Sequence, residues 1–377
     1  MGEDNQLKIR NPILKTDSVI KSDVNANTDN FNYGIAVLRI WMCFEVVLYH
    51  FKSWNGASIQ DLAWPFRMLM RYGKIAVPVF MLTSFIFTDM SKLSMDNKKI
   101  KKRFLRLLVP HFFWAFSYYL IYKLLDIWKG LSLEKGISDL LWQLALGHSL
   151  NQTEWFQIDL IILTIVFIVL FKIFKKHAIF VTWLMGYLAL YLQYSGKNGA
   201  LFDNVVWKEG FNAGYVTYPI GRIMEMLPFA VIGILICHYE ILDKIKKHRC
   251  AVIVISILSL CFLFNMDVFS SVERQYDYSG CYYILAGTIS VILFCLVPLE
   301  VLPTFIKKII MFFSQFSLSV YFGQRLIATL IYNTCLNAWF KMRPGSIHDC
   351  IIIYICCVII AWCISLIPSK YIRMAVK

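Results

Sequence analysis

Residues 38–51 read LRIWMCFEVVLYHF. This is an apolar stretch of membrane-helix character, yet it holds Arg39, Glu45 and His50. An ionisable side chain inside a bilayer span costs roughly 2.5–3.5 kcal/mol on insertion scales, so such groups turn to the protein interior and usually serve a purpose. Arg39 and His50 are eleven residues apart. At 3.6 residues per turn, that spacing returns to within about 20° of the same face and separates the two by roughly 16 Å along the axis. One helix face therefore presents a fixed cation at one depth and a titratable imidazole at another. Glu45 points about 120° away from Arg39 and falls outside that face. On this helix alone, the plain alternative is a packed arginine and an interfacial histidine with no chemistry.

The whole chain agrees with a membrane setting. Of 377 residues, 58% are hydrophobic and 16% charged, against about 45–50% and about 25% in soluble domains. Aromatic residues at 16% suit Trp and Tyr belts at the two interfaces. The net charge of +14 comes from short basic clusters between apolar runs, the pattern of cytoplasmic loops. No nucleic-acid-binding motif accompanies it, so no nucleic-acid partner is expected. The eleven cysteines fall mostly inside apolar runs and lack zinc-ligand spacing, so they read as small apolar filler and no metal site is expected. Cys281, Cys335 and Cys350 are placed near the outer surface.

Residues 1–30 are polar and mixed in charge, too poor in apolar side chains to bury a core, and read as a flexible cytoplasmic tail. They lack the charged, apolar and small-residue regions of a cleaved signal peptide. Ten apolar runs follow, near 33–53, 73–90, 107–125, 155–174, 178–195, 219–238, 250–266, 280–302, 309–332 and 348–368. Each approaches the ~20 residues that cross a hydrocarbon core. With the N-terminus inside, the inner segments carry about twice as many Lys and Arg as the outer ones, as the positive-inside rule requires. The expected fold is all-α: a polytopic helical bundle of ten transmembrane helices, both termini cytoplasmic. Its transmembrane domain covers 31–370 and a short cytoplasmic tail covers 371–377. The stretch LLWQLALG, Leu140–Gly147, is placed along the membrane interface.

This topology sorts the intramembrane polar groups by depth. His50, Asp159, Arg222, Glu225, Gln324 and Arg325 all come to the outer half. A carboxylate beside His50 would hold its tautomer, and an arginine there would bind an oxyanion. The plain alternative is a set of buried ion pairs that only fix helix register, with Arg222 and Glu225 paired at i,i+3. On the inner side KKIKKRFLR, Lys98–Arg106, is a strong topology signal and a binder of acidic lipids. The sharper reading makes Arg103 or Arg106 a dock for the phosphates of a cofactor.

Several of these stretches, taken together, resemble the acyltransferase-3 family of membrane acyltransferases. The Arg, ten residues, then His of the first span resembles the family's hallmark. GKIAVPVFMLTSF (Gly73–Phe85) resembles its second helix, and RFLRLLVP (Arg103–Pro110) its basic approach to helix three. WFQIDL (Trp155–Leu160), PFAVIGI (Pro228–Ile234) and SLSVYFGQ (Ser317–Gln324) are similar to later family segments. The likeness covers most of 33–332. Two positions depart from it. Phe85 stands where the family commonly has Gly, and Gln324, which hydrogen-bonds but does not titrate, stands where it often has His.

The resemblance implies transfer of an acyl group, usually acetyl, from cytoplasmic acetyl-CoA to a hydroxyl of a cell-surface glycan or similar acceptor, in the bacterial cytoplasmic membrane. Arg39, with Arg103 and Arg106, would bind the donor. His50 would be the general base or carry the acyl group itself. Glu225 or Asp159 would orient His50. Arg222 or Arg325 would stabilise the oxyanion, and Arg222, Gln324 and Arg325 form the candidate substrate-binding set. The rival reading is a transporter or flippase of a lipid-linked or anionic substrate, with the same charges lining a pathway. A non-catalytic paralogue is a third, opposed by the intact Arg39 and His50.

Overall fold

A computed structural model describes residues 32–53, 75–129, 136–147, 150, 154–198, 217–269, 281–333 and 347–377. The expected tail 1–30 and most of the expected outer loops lie outside these residues. Among the described residues every regular element is helical. In chain order the helices are α1 (Tyr33–Ser53), α2 (Ala76–Ile86), α3 (Met90–Ser94), α4 (Asn97–Lys129), α5 (Ile137–Leu146), α6 (Trp155–Phe174), α7 (Ala178–Asn198) and α8 (Thr217–His238). They are followed by α9 (Ile241–Ile245), α10 (Arg249–Phe269), α11 (Cys281–Leu296), α12 (Thr304–Gln315), α13 (Ser317–Asn333), α14 (Ile347–Ser365) and α15 (Lys370–Val376).

Five described stretches are long and apolar enough to cross a membrane: Tyr33–His50, Asn97–Trp128, Trp155–Tyr191, Tyr283–Val301 and His348–Ser365. The number rises to seven if two bent pairs each count as one span. The third stretch is divided at Lys175–His177, where Lys175 has a positive φ of 45°. Two apolar helices of 20 and 21 residues flank that break.

Several elements differ from the expected spans. The run 73–90 yields an eleven-residue helix, α2, about 16 Å long. Asp89 then caps α3 by accepting from the backbone N–H of Ser91 and Lys92. The third span starts ten residues early, because the basic cluster Lys98–Arg106 is itself helical within α4. Pro110 removes one rung of that helix, and the Leu107 carbonyl on the same turn accepts from the Gln157 side-chain amide at 2.9 Å. The run 280–302 stops as a helix at Leu296, just before Pro298.

The run 309–332 is not one helix. α12 and α13 meet at Phe316 with a 57° bend. The polar groups freed at the break find partners within the protein. The Ser317 hydroxyl donates to the Ser314 carbonyl at 2.6 Å, and the Ser317 carbonyl accepts from Cys43 Sγ at 3.1 Å. A broken helix is tolerated at membrane depth on that condition.

Residues 371–377, expected as a tail, fold back instead. α15 packs along α4 and α14, Val376 is fully buried, and its carbonyl accepts from the Ser319 hydroxyl at 2.6 Å. Cys350, expected near the surface, is also buried, and the nine cysteines whose side chains are described are unbridged.

The core is one large cluster around α2, α4, α6 and α8, and a second one joining α1, α13 and α14. Phe80, Phe156 and Tyr321 form a three-ring contact between α2, α6 and α13, with centroids 5.7–6.2 Å apart. The bulky Phe85 is accommodated by a small residue opposite. Phe85 is fully buried edge-on to Phe167, and a Cβ added at Gly233 of α8 would lie 2.8 Å from both Phe85 Cβ and the Leu82 carbonyl oxygen. Gly233→Ala is therefore expected to lower stability by about 1–3 kcal/mol through overpacking, read as an earlier thermal melt in detergent. Phe85→Ala keeps the Cβ that Gly233 meets, so Gly233→Ala should cost about as much in that background as in the parent. A loss that vanished there would show that the Phe85 ring, not its Cβ and the backbone, sets the limit.

Candidate active site

Side-chain contacts fix the relative directions of the helices that carry the site. Cys43 with Ser317, and His50 with Arg325, align α1 parallel to α13. Tyr118 reaches Phe322 and Leu326, and Tyr122 reaches the Thr329 side chain, so α4 is parallel to α13 as well. Gln157 with Leu107, and Glu154 with His111, set α6 antiparallel to α4.

On α1 the expected face exists. Arg39 is half-buried, and among the described residues its guanidinium makes no hydrogen bond or ion pair. Cys43, one turn on, is its electrostatic neighbour. Three turns from Arg39, His50 Nδ1 lies 3.1 Å from Arg325 Nη2. A guanidinium can only donate, so Nδ1 accepts and a neutral imidazole keeps its proton on Nε2. The bond also brings α13 into the site through Arg325. Its neighbour Gln324 is buried, donates through Nε2 to the Tyr321 carbonyl at 3.1 Å, and keeps Oε1 buried without a partner. Glu45 is buried on another face, with neither carboxyl oxygen hydrogen-bonded.

The other polar residues gather around the end of α5. This helix exposes Ile137, Leu141 and Trp142 on one face. Its C-terminal turn is inserted against α4, α6 and α8. The Leu144 carbonyl accepts from His111 Nε2 at 3.0 Å, and the Leu146 carbonyl lies 3.4 Å from Arg222 Nη2. A helix C-terminus carries partial negative charge and unsatisfied carbonyls, so cationic and N–H donors suit it. Gly147 ends α5 at φ 66° and packs so close to Glu154 that a Cβ would fall 2.6 Å from its backbone.

Each donor is backed by a carboxylate from the start of α6. Asp159 Oδ1 is 3.3 Å from Arg222 Nη2, and Glu154 Oε2 is 3.5 Å from His111 Nδ1. Arg222 also lies over the Trp155 ring, 5.1 Å from its centroid. All four of these side chains are buried. Because His111 Nε2 holds a proton for Leu144, the His111–Glu154 contact is either imidazolium–carboxylate or imidazole–carboxylic acid, two states that differ by one proton.

The single outer layer of six residues thus resolves into two groups. One is His50–Arg325, flanked by the tyrosines of α4. The other is Asp159–Arg222 together with His111–Glu154, around α5. Arg222 pairs across helices with Asp159, while Glu225 is buried one turn further along α8. In the basic first turns of α4, Arg103 turns towards α2, donating to Ser84 Oγ at 2.6 Å and Thr88 Oγ1 at 3.1 Å near its end. Arg106 is exposed.

His111 and Glu154 are the charged pair that sequence reasoning misses. His111 stands inside an apolar run, where an ionisable side chain demands a partner. Glu154 is 43 residues away and reads as the last residue of a loop.

Removing one member of a buried pair strands the other, at a cost of about 3–5 kcal/mol, whereas replacing both by apolar groups is far milder. Asp159→Leu is accordingly expected to melt earlier than the double variant Asp159→Leu with Arg222→Met. A double variant less stable than the single one would mean that Arg222 depends on other partners.

A family model described as an acyltransferase domain, Acyl_transf_3, matches residues 32–366 of the chain. No curated protein and no solved structure matches it significantly.

Proposed function

The chain belongs to the acyltransferase-3 family and is an integral membrane acyltransferase. From that premise we propose that it moves an acyl group, acetyl in the first instance, from acyl-CoA on the cytoplasmic side to a hydroxyl of a glycan or similar acceptor at the outer face of a bacterial cytoplasmic membrane. In this reading ten spans place both termini inside. The observation that carries it is the shared face of α1: an unpaired guanidinium at Arg39 and, three turns on, an imidazole held by Arg325.

The donor's phosphates are drawn to the basic start of α4 and to Arg39, where Arg106 is exposed and Arg103 steadies the end of α2. An extended pantetheine arm then reaches towards His50. His50 cannot accept a proton at Nδ1 while Arg325 donates there. Arrival of the thioester carbonyl gives Arg325 a better acceptor, an oxygen that gains negative charge as the reaction proceeds. Its departure exposes the Nδ1 lone pair. The acceptor oxygen then attacks the thioester carbon while Nδ1 takes the hydroxyl proton. The C–S bond breaks, and the proton passes from Nδ1 to the leaving thiolate. Base and oxyanion donor are thus switched on by the same substrate.

Gln324 Oε1, buried without a partner, suits an O–H or N–H of the bound substrates. Asp159 is engaged by Arg222, so it supports the wall of the site rather than the imidazole. Glu225 and Arg222 belong to the acceptor side of that wall.

Two substitutions separate the proposed roles. His50→Ala should reduce acyl transfer in membranes by at least about a thousandfold, with the protein still present at normal level. Arg39→Ala should instead raise the KM for acetyl-CoA about tenfold, with a smaller change in kcat. Full activity of His50→Ala in a labelled-acetyl transfer assay would overturn the mechanism.

A further inference from the structure

Helix α4 holds a group that neither the sequence reading nor the mechanism above uses. Tyr118 of α4 is fully buried. Its hydroxyl donates to the Phe322 carbonyl at 2.7 Å and accepts from the Leu326 backbone N–H at 3.0 Å. In an α-helix these two groups are the ends of one rung, N–H of residue i to C=O of residue i−4. A side chain placed in that ladder is one of the few causes of local helix distortion. The turn it enters consists of Gly323, Gln324 and Arg325, and Arg325 is the residue that meets His50.

Two further contacts show α4 gripping this turn. Trp114, one turn before Tyr118, packs on Gly323 so closely that a Cβ there would fall 2.9 Å from the indole Cη2. Tyr122, one turn after, hydrogen-bonds the Thr329 side chain. Tyr118 is also the first of three tyrosines that act electrostatically on Arg325.

The hydroxyl adds little to stability. Without it, the Phe322 carbonyl and the Leu326 N–H satisfy one another, so no buried group is stranded, and deleting both sides of such an arrangement is close to neutral. A phenylalanine would fill the same space. What the hydroxyl does is engage both ends of the rung and tie that turn of α13 to α4.

We propose that Tyr118 is a positioning residue for acyl transfer: its hydroxyl sets the 322–326 turn of α13 so that Arg325 is aimed at His50 and at the thioester oxygen. This rests on the assignment of His50 and Arg325 to the reaction. Tyr118 touches neither substrate. It acts through Arg325, and a misplacement of about 1 Å in such a group can cost about a hundredfold in rate.

The test is Tyr118→Phe, assayed in membranes by transfer of labelled acetyl, alone and in an Arg325→Lys background. Tyr118→Phe should accumulate normally, lose at least about tenfold in kcat, and keep its KM for acetyl-CoA within about twofold. In the Arg325→Lys background the same change should have less than about a twofold further effect, because residues acting as a unit are not additive. Tyr119→Phe, which removes a hydroxyl of α4 that makes no hydrogen bond among the described residues, should remain near the parent rate. A Tyr118→Phe enzyme with parent kcat, or the same fold-loss repeated in Arg325→Lys, would overturn the proposal. Loss of the underlying assignment is read elsewhere, from the His50→Ala enzyme.

Discussion

A half-buried guanidinium inside an apolar bundle is stabilised by an acceptor from the protein, and α13 is arranged around such a contact at Arg325. It begins at a break, so its first residues can offer a carbonyl to Cys43 and a hydroxyl to the Val376 carbonyl. Two turns later it presents Arg325, whose acceptor is the imidazole of α1. α4 clasps the same turn from the other side. The alignment of α1, α4 and α13 therefore follows from polar satisfaction as much as from the fit of their apolar faces. A slip of one residue along any of the three would strand several groups together.

The second polar centre obeys the same constraint by a different device. Here the buried charges serve a helix end. α5 brings its negative C-terminal carbonyls into the bundle, and His111 and Arg222 meet them, each neutralised from behind by an acid of α6. Tyr118 lies close to a member of each group, Glu154 and Arg325. One set of contacts joins an imidazole to a guanidinium, and the other is a four-residue clasp around the backbone carbonyls of α5.

The face of α1 was legible from spacing alone, because eleven residues close nearly three helical turns whatever surrounds them. The family likeness was legible in the order of short segments from residue 33 onward, and the match over 32–366 agrees with it. Depth was less legible. Asp159 and Arg222 lie in spans read as starting from the same side as His50's outer end, and their contacts run to the C-terminal turn of α5, which the depth argument did not include. The break at Phe316 left no mark in an unbroken apolar run. Hydropathy registers composition along the chain, whereas a break depends on who supplies the partners, here Cys43 and Ser314. Phe85 looked like a defect against the family pattern. Its complement, Gly233, is 148 residues away and could be recognised only once the two helices crossed.

The tucked position of α15 bears on how the protein is made. Its contacts are with α4, α13 and α14, and α4 leaves the ribosome more than two hundred residues earlier. Such a contact of long sequence separation forms late. During biogenesis, the flank of α4 that α15 will cover, and the pocket around Ser319, stay unfilled until synthesis has run almost to Lys377. A nascent chain therefore passes through a stage with every span threaded but one seam still open. That seam is the natural place for insertion factors or quality-control proteases to tell an unfinished bundle from a finished one.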